Sequence, residues 1–186
     1  MIRAKGTVLA ALMTAVSAIG LGAGPAAVAA TAEEIDIKVD ATLEQFQAEV
    51  GGGKEFLAKS KGVLVFPSVI KAGFIVGGEH GTGALRVGGE SVGYYSTTAG
   101  SIGFQAGAQS KSLVIVFMTQ EALDGFQAAN GWEAGVDGNI AVAEWGTGES
   151  ATTVSTKDPI VGFVFGNKGL MVDVSLKGSK YKKLDL

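Results

Sequence analysis

One histidine, a scatter of carboxylates and fifteen basic residues are what this chain offers for chemistry. His80 stands beside Glu79 in a glycine-rich stretch. A histidine serves as a general base only with a nucleophile or a second ligand near it, and none is evident, so His80 is expected in a surface turn. With no cysteine, a metal would have to be held by carboxylates. Asp137-Gly138-Asn139 lacks the acidic spacing and closing glutamate of a calcium loop and is better explained as a hairpin turn. Gly81-Thr82-Gly83 suggests a phosphate loop, yet a dinucleotide fingerprint needs a glycine where Arg86 stands, and a Walker loop needs a lysine followed by serine or threonine. Glu79, Glu90 and Glu144 could form an acid and base pair only if the fold gathers them; otherwise they are solvated carboxylates at strand ends. No catalytic, metal or cofactor residue is expected, and the chain is not expected to be an enzyme.

Binding is better provided for. Lys54, Lys59, Lys61 and Lys71 cluster in sequence and are interleaved with Phe56, Leu57, Val63 and Phe66. A second group, Lys177, Lys180, Lys182 and Lys183, accompanies Tyr181 near the C-terminus. Lysines beside exposed apolar side chains are the combination that docks a protein on an anionic membrane surface, each nearby lysine giving about 1 kcal/mol. A solvated helix face and a soluble tail are the alternative.

The elements that must position these residues begin after a leader. Residues 1–30 have the three parts of a secretory signal: basic Arg3 and Lys5, the apolar run Val8 to Leu21, and a small-residue exit zone opening at Gly22-Ala23-Gly24-Pro25. Two A-x-A tripeptides follow, so cleavage is expected after Ala29, Ala30 or Ala32. The run of about fourteen residues is short against the roughly twenty needed to span a bilayer. The expected location is therefore periplasmic or secreted. About 155 residues remain, enough for one domain, held without disulfides by its core alone. Losing the leader, with its two basic and no acidic residues, takes the net charge from −3 to about −5, which argues against a nucleic-acid partner.

From Glu34 to Val50, Ile35, Val39, Leu43, Phe46 and Val50 recur at helical spacing with acids between them, and Gly51-Gly52-Gly53 ends the helix. A short helix, Lys54 to Ser60, is expected next. Thereafter short apolar runs alternate with glycines, at Val63 to Phe66, Ala72 to Gly77, Gly83 to Val87, Ser91 to Ser96, Ser101 to Ala108 and Leu113 to Met118. A helix capped by Thr119 interrupts them as far as Ala129. Ala134 to Val136 and Asn139 to Trp145 then form an expected hairpin about Asp137-Gly138, followed by strands at Ala151 to Ser155, Ile160 to Phe165 and Leu170 to Leu176. The expected fold is α+β, with a strongly curved, glycine-rich antiparallel sheet, barrel-like or folded over, on which the N-terminal helices and the internal helix pack.

Several blocks, in order, resemble the SYLF domain family. They are Lys61-Gly62-Val63-Leu64-Val65-Phe66-Pro67, Lys71-Ala72-Gly73-Phe74, Thr98 to Ala108, Leu113 to Thr119 and Lys168 to Gly178. The resemblance spans most of a single domain running from 33 to 186. It implies a lipid-binding module with phosphoinositide affinity and no catalysis, whose eukaryotic members also bind actin. It further implies membrane contact through a basic, amphipathic N-terminal part, which Lys54, Lys59, Lys61, Lys71, Phe56 and Leu57 could inherit. One departure stands out: the first helix is acidic, carrying Glu33, Glu34, Asp36, Asp40, Glu44 and Glu49 against only Lys38, so it should pack on the sheet rather than on lipid. The expected partner is an anionic phospholipid surface, and an exported domain is not expected to meet actin. A structural or protein-interaction module of the cell envelope is the alternative.

Overall fold

A computed structural model describes residues 30–73, 76–102, 108–144, 154–168 and 175–186. The leader and most of the tract Leu170 to Leu176 lie outside them, as do 145–153. The order of elements is α1 (Ala32–Glu49), α2 (Gly53–Lys59), β1 (Gly62–Gly73), β2 (Val76–Val87), β3 (Glu90–Ile102), β4 (Ala108–Phe117), α3 (Gln120–Ala128), β5 (Trp132–Glu133), β6 (Ala141–Glu144), β7 (Ile160–Lys168) and β8 (Lys180–Leu184). The eight strands form one sheet in the order β5-β8-β3-β2-β1-β4-β7-β6. Every pairing is antiparallel except β6 with β7.

This sheet is curled into a half-barrel. Trp132 on one edge and Ile160 near the other both reach Gly138, where a β-carbon would sit 2.7 Å from the Trp132 ring and 3.5 Å from Ile160. The concave face is filled by Leu64, Phe66, Leu85, Tyr95, Leu113, Phe117, Tyr181 and their neighbours, with Leu123 and Phe126 of α3 packed in. The convex face carries a second core under α1 and α2, including Ile35, Val39, Phe46, Val65, Val114, Phe163 and Phe165. Phe163 meets both helices edge to face, its ring 5.0 Å from Phe46 and 4.9 Å from Phe56. Strands covered on both sides read as unbroken apolar runs rather than alternations, as Val63–Phe66, Leu113–Phe117 and Ile160–Phe165 do.

Acidic α1 packs on the sheet, as its charge implies. Its carboxylates are used there: Asp36 accepts from Ser91 at 2.6 Å and from Tyr94 at 2.9 Å, and Arg86 donates to Asp40 at 2.7 Å. The Asp36 carboxylate holds the Tyr94 phenol above its ordinary value, burial adding to the effect. Thr31 caps α1 in a full capping box with Glu34.

The first four strands are about twice as long as the runs expected from sequence, because glycines that look like breaks lie inside them. A β-carbon on Gly83 would be 1.9 Å from the Val65 carbonyl oxygen, so this glycine allows a close strand approach where β1 bulges rather than making a turn. Consequently His80 is mid-strand, paired with Ile70 and Thr98, and not in a turn. Asp137-Gly138 is a turn but closes no hairpin. The Gly135 N–H bonds back to the Gly138 carbonyl, while β5 pairs with β8 and β6 with β7. Residues 154–155 are not strand, and β8 emerges from what sequence presents as a charged tail.

Candidate functional site

A bulge in β1 decides which side chains meet. On β1 the pairing with β4 runs regularly to Phe66, then resumes at Val69, with Pro67 and Ser68 between. Side chains alternate across a strand, so the insertion changes which parity faces inward: Leu64 and Phe66 are concave, and after the bulge Val69 and Lys71 are. Ile70 is thereby turned outward.

On the convex side, beyond the helices, two rows cross the sheet. Ser110, Ile70, His80, Thr98 and Lys180 form one, and Ser68, Thr82, Ser96 and Lys182 form the other. Ile70 is 52% exposed and Val76, further along the same face, 73%. His80, Thr98, Lys180 and Lys182 are exposed with them. At this margin Glu133 on the edge strand lies 3.4 Å from the Lys180 ammonium. These rows therefore make an open, weakly cationic β surface with two apolar projections.

On the concave side the same strands carry charge inward. Lys111 of β4 lies 2.7 Å from Glu79 of β2, and Lys71 of β1 lies 3.8 Å from the other oxygen of the same carboxylate. The Lys111 side chain is 3% exposed, those of Glu79 and Lys71 12% and 13%. Nearby, the Tyr181 hydroxyl is buried with Ser179 and Thr97 as polar neighbours, and desolvation pushes its ionisation far above the ordinary phenol range.

The sequence-predicted residues are divided by the fold. Phe56 is buried on Phe163 and Leu57 half-buried in the same core, so both hold α2 to the sheet instead of projecting from it. Lys59 is paired with Glu55 at 2.6 Å on the exposed face of α2, a contact that lowers the Glu55 pKa. Lys54 and Lys61 are exposed, and Lys71 faces the concave charge cluster. In the second group Lys180 and Lys182 reach the convex surface. Lys183 points to the concave side, where its stem runs by Gly93, and Lys177 is exposed, with its stem against Gly135.

His80 and Glu79 point to opposite faces, and Glu90 is exposed at the β2–β3 turn, so these do not converge. The Glu144 side chain lies outside the described residues. Among the described residues no three His, Asp or Glu side chains are placed to hold a metal. Sequence reasoning missed Lys111 and Ile70. A lysine and an isoleucine inside apolar strand runs were the available signals, but their facing depends on the bulge.

Half-barrel and helices together define a small α+β module, with an open, lysine-bearing surface on the convex face of its sheet and an ion-paired cluster on the concave face. Residues 98–185, from the end of β3 through β8, match the model of the Ysc84 family, described as Las17-binding protein actin regulator. This is the SYLF family that the sequence blocks resemble, and that region of the chain belongs to it. No curated protein matches the chain.

Proposed function

We propose that the domain binds the surface of anionic phospholipid membranes, without catalysis, in the periplasm or outside the cell. Membership of a family of lipid- or actin-binding modules supports a binding role in general. The single observation favouring lipid is the convex surface, where exposed Ile70 and Val76 share an open sheet face with Lys180 and Lys182. Apolar side chains of this size gain by leaving water for the acyl boundary, and the lysines add attraction to anionic headgroups. The predicted contact thus moves from α2 to β8.

Co-sedimentation with vesicles tests it. Binding is expected to anionic vesicles at low salt and to weaken with salt, and Lys180→Gln with Lys182→Gln should lower partitioning roughly tenfold or more, at about 1 kcal/mol per lysine. The matching change at Lys54 and Lys61 should do less. Failure to bind anionic vesicles at all would sink the proposal.

The family's printed description, binding of Las17 and regulation of actin, favours a protein partner as the second reading. An envelope protein would take that place after export. Such a partner would be retained by the Lys180→Gln/Lys182→Gln variant in a pull-down, whereas lipid would not.

Export is proposed on the leader pattern, and the cap of α1 supports cleavage before Thr31. Thr31 is the N-cap, and Ala30 packs against the convex core. Cleavage after Ala32 would remove the cap, so cleavage after Ala29 or Ala30 is favoured. The intact mass of the processed protein decides between these.

A further inference from the structure

The chain has a single histidine, and the fold gives it a place that the membrane-surface reading leaves unused. His80 lies in the middle of the convex row, between Ile70 on β1 and Thr98 on β3, with Ser110 on β4 and Lys180 on β8 at the ends of that row. Its side chain is exposed, as are those of Ile70, Thr98 and Lys180. Histidine is the residue type whose charge changes between about pH 5 and 8, so this position can be neutral or cationic where a lysine would be cationic throughout.

The neighbours decide what that charge does. In sequence Glu79 adjoins His80, and in a turn the two could pair. In β2 successive side chains point to opposite faces, so Glu79 is on the concave side, 2.7 Å from Lys111, and is not placed to neutralise an imidazolium on the convex side. Around His80, β1 presents Ser68, Ile70 and Ala72, β3 presents Ser96, Thr98 and Gly100, β4 presents Ser110, and β2 itself Gly78 and Thr82, none of them charged. The strands beyond bring Lys180 and Lys182 of β8, two strand spacings or about 10 Å away, and Glu133 of β5, already paired with Lys180 at 3.4 Å. From α1, Asp36 and Asp40 reach β2 at Arg86, at 3.5 and 2.7 Å. Arg86 is further along β2 than Ala84, itself about 13 Å from His80, so these acids belong to the sealed end of the sheet.

We propose that His80 makes docking of this surface on anionic membranes pH-dependent: protonation adds a third cation beside Lys180 and Lys182, next to the projecting Ile70, and docking strengthens as pH falls. The inference rests on the membrane-surface reading and specifies its regulation. A cation about 10 Å from the lysines is within about one Debye length at about 0.1 M salt, so the three act on one patch of headgroups. A further charge near the surface gives about a fivefold change in partitioning. Linkage runs both ways, so docking in turn favours the protonated histidine.

Co-sedimentation of the protein with vesicles of phosphatidylglycerol in phosphatidylcholine, at about pH 7.5 and about pH 5.5 and constant ionic strength, tests the switch. Phosphatidylglycerol keeps its charge across this range, so the lipid itself does not titrate. Wild-type partitioning is expected to rise about fivefold at the lower pH. His80→Gln should lose most of that rise, and His80→Lys should bind at about the wild-type acid level already at the higher pH. Equal wild-type binding at both pH values, or a rise in His80→Gln as large as in wild type, overturns the switch and leaves the membrane-surface reading standing. Wild-type protein that binds at neither pH overturns both. The side chain is exposed, so both variants are expected to melt as wild type does, which a thermal scan checks.

Discussion

The two ends of the long strands have been put to opposite uses. At one end Val63–Phe66 of β1 and Leu113–Phe117 of β4 are buried on both faces, sealed by α1 and α2 outside and by the aromatic core inside. At the other end the same two strands expose Ile70 and bury Lys111. Hydrophobic patterning that is satisfied twice over at one end is inverted at the other. A stable end holds the sheet in shape, which allows the far end to carry an exposed apolar face and an interior charge. The bulge at Pro67-Ser68 is the boundary between them.

Damage to the sealed end should be the most costly. Phe163→Ala removes the ring that both helices rest on, and a loss of about 4 kcal/mol is expected in urea unfolding, with the amides of α1 and α2 losing hydrogen-exchange protection first. At the charged end, Glu79→Gln would leave Lys111 buried without its counter-charge, expected to cost about 3 kcal/mol. Adding Lys111→Met to that variant should restore most of it; if the double variant is as unstable as the single one, the pair is not an electrostatic unit. Smaller again is Thr31→Ala, which removes the α1 cap at about 1 kcal/mol and should shift the denaturation midpoint without altering vesicle binding.

The smallest effect at neutral pH belongs to Tyr181→Phe, whose hydroxyl is buried without a well-formed hydrogen bond, so a change under about 1 kcal/mol is expected there. Its signature is in alkali. The folded-state ionisation of Tyr181 is raised above the ordinary phenol value of 10.0 by burial, so its contribution to stability is full below that value and is lost as pH rises beyond it. Tyr181→Phe should therefore retain stability above about pH 10 better than wild type, by thermal melts across that range. Equal alkaline loss in both proteins would mean that Tyr181 is not what limits the fold there.

Much of the architecture was legible because it depends on local signals. The 3.6 period of α1, its Gly51-Gly52-Gly53 stop, the Thr119 cap of α3, and the density of valine, isoleucine and glycine in the middle of the chain lead to an α+β half-barrel. The leader pattern and the ordered SYLF blocks are likewise properties of sequence alone. Strand lengths were not legible, since Gly81 and Gly83 look like turn residues until the carbonyl of Val65 is seen against one of them. Nor was β8, where Tyr181 is a single buried residue among lysines.

The site depended most on tertiary structure. Sequence determined that this chain carries two groups of lysines interleaved with apolar residues and no evident catalytic set. It put the contact on Lys54, Phe56, Leu57, Lys59, Lys61 and Lys71, with Lys177, Lys180, Lys182 and Lys183 as a secondary basic tail, because each group is clustered in the chain. The fold separated them, burying Phe56, pairing Lys59 and turning Lys71 inward, and it assembled Ile70 with Lys180, and Lys111 with Glu79, across strands far apart in sequence. The physical reason is the period of two in a strand: one inserted residue reverses the facing of every side chain after it, and only the pairing of β1 with its neighbours reveals that the insertion is there.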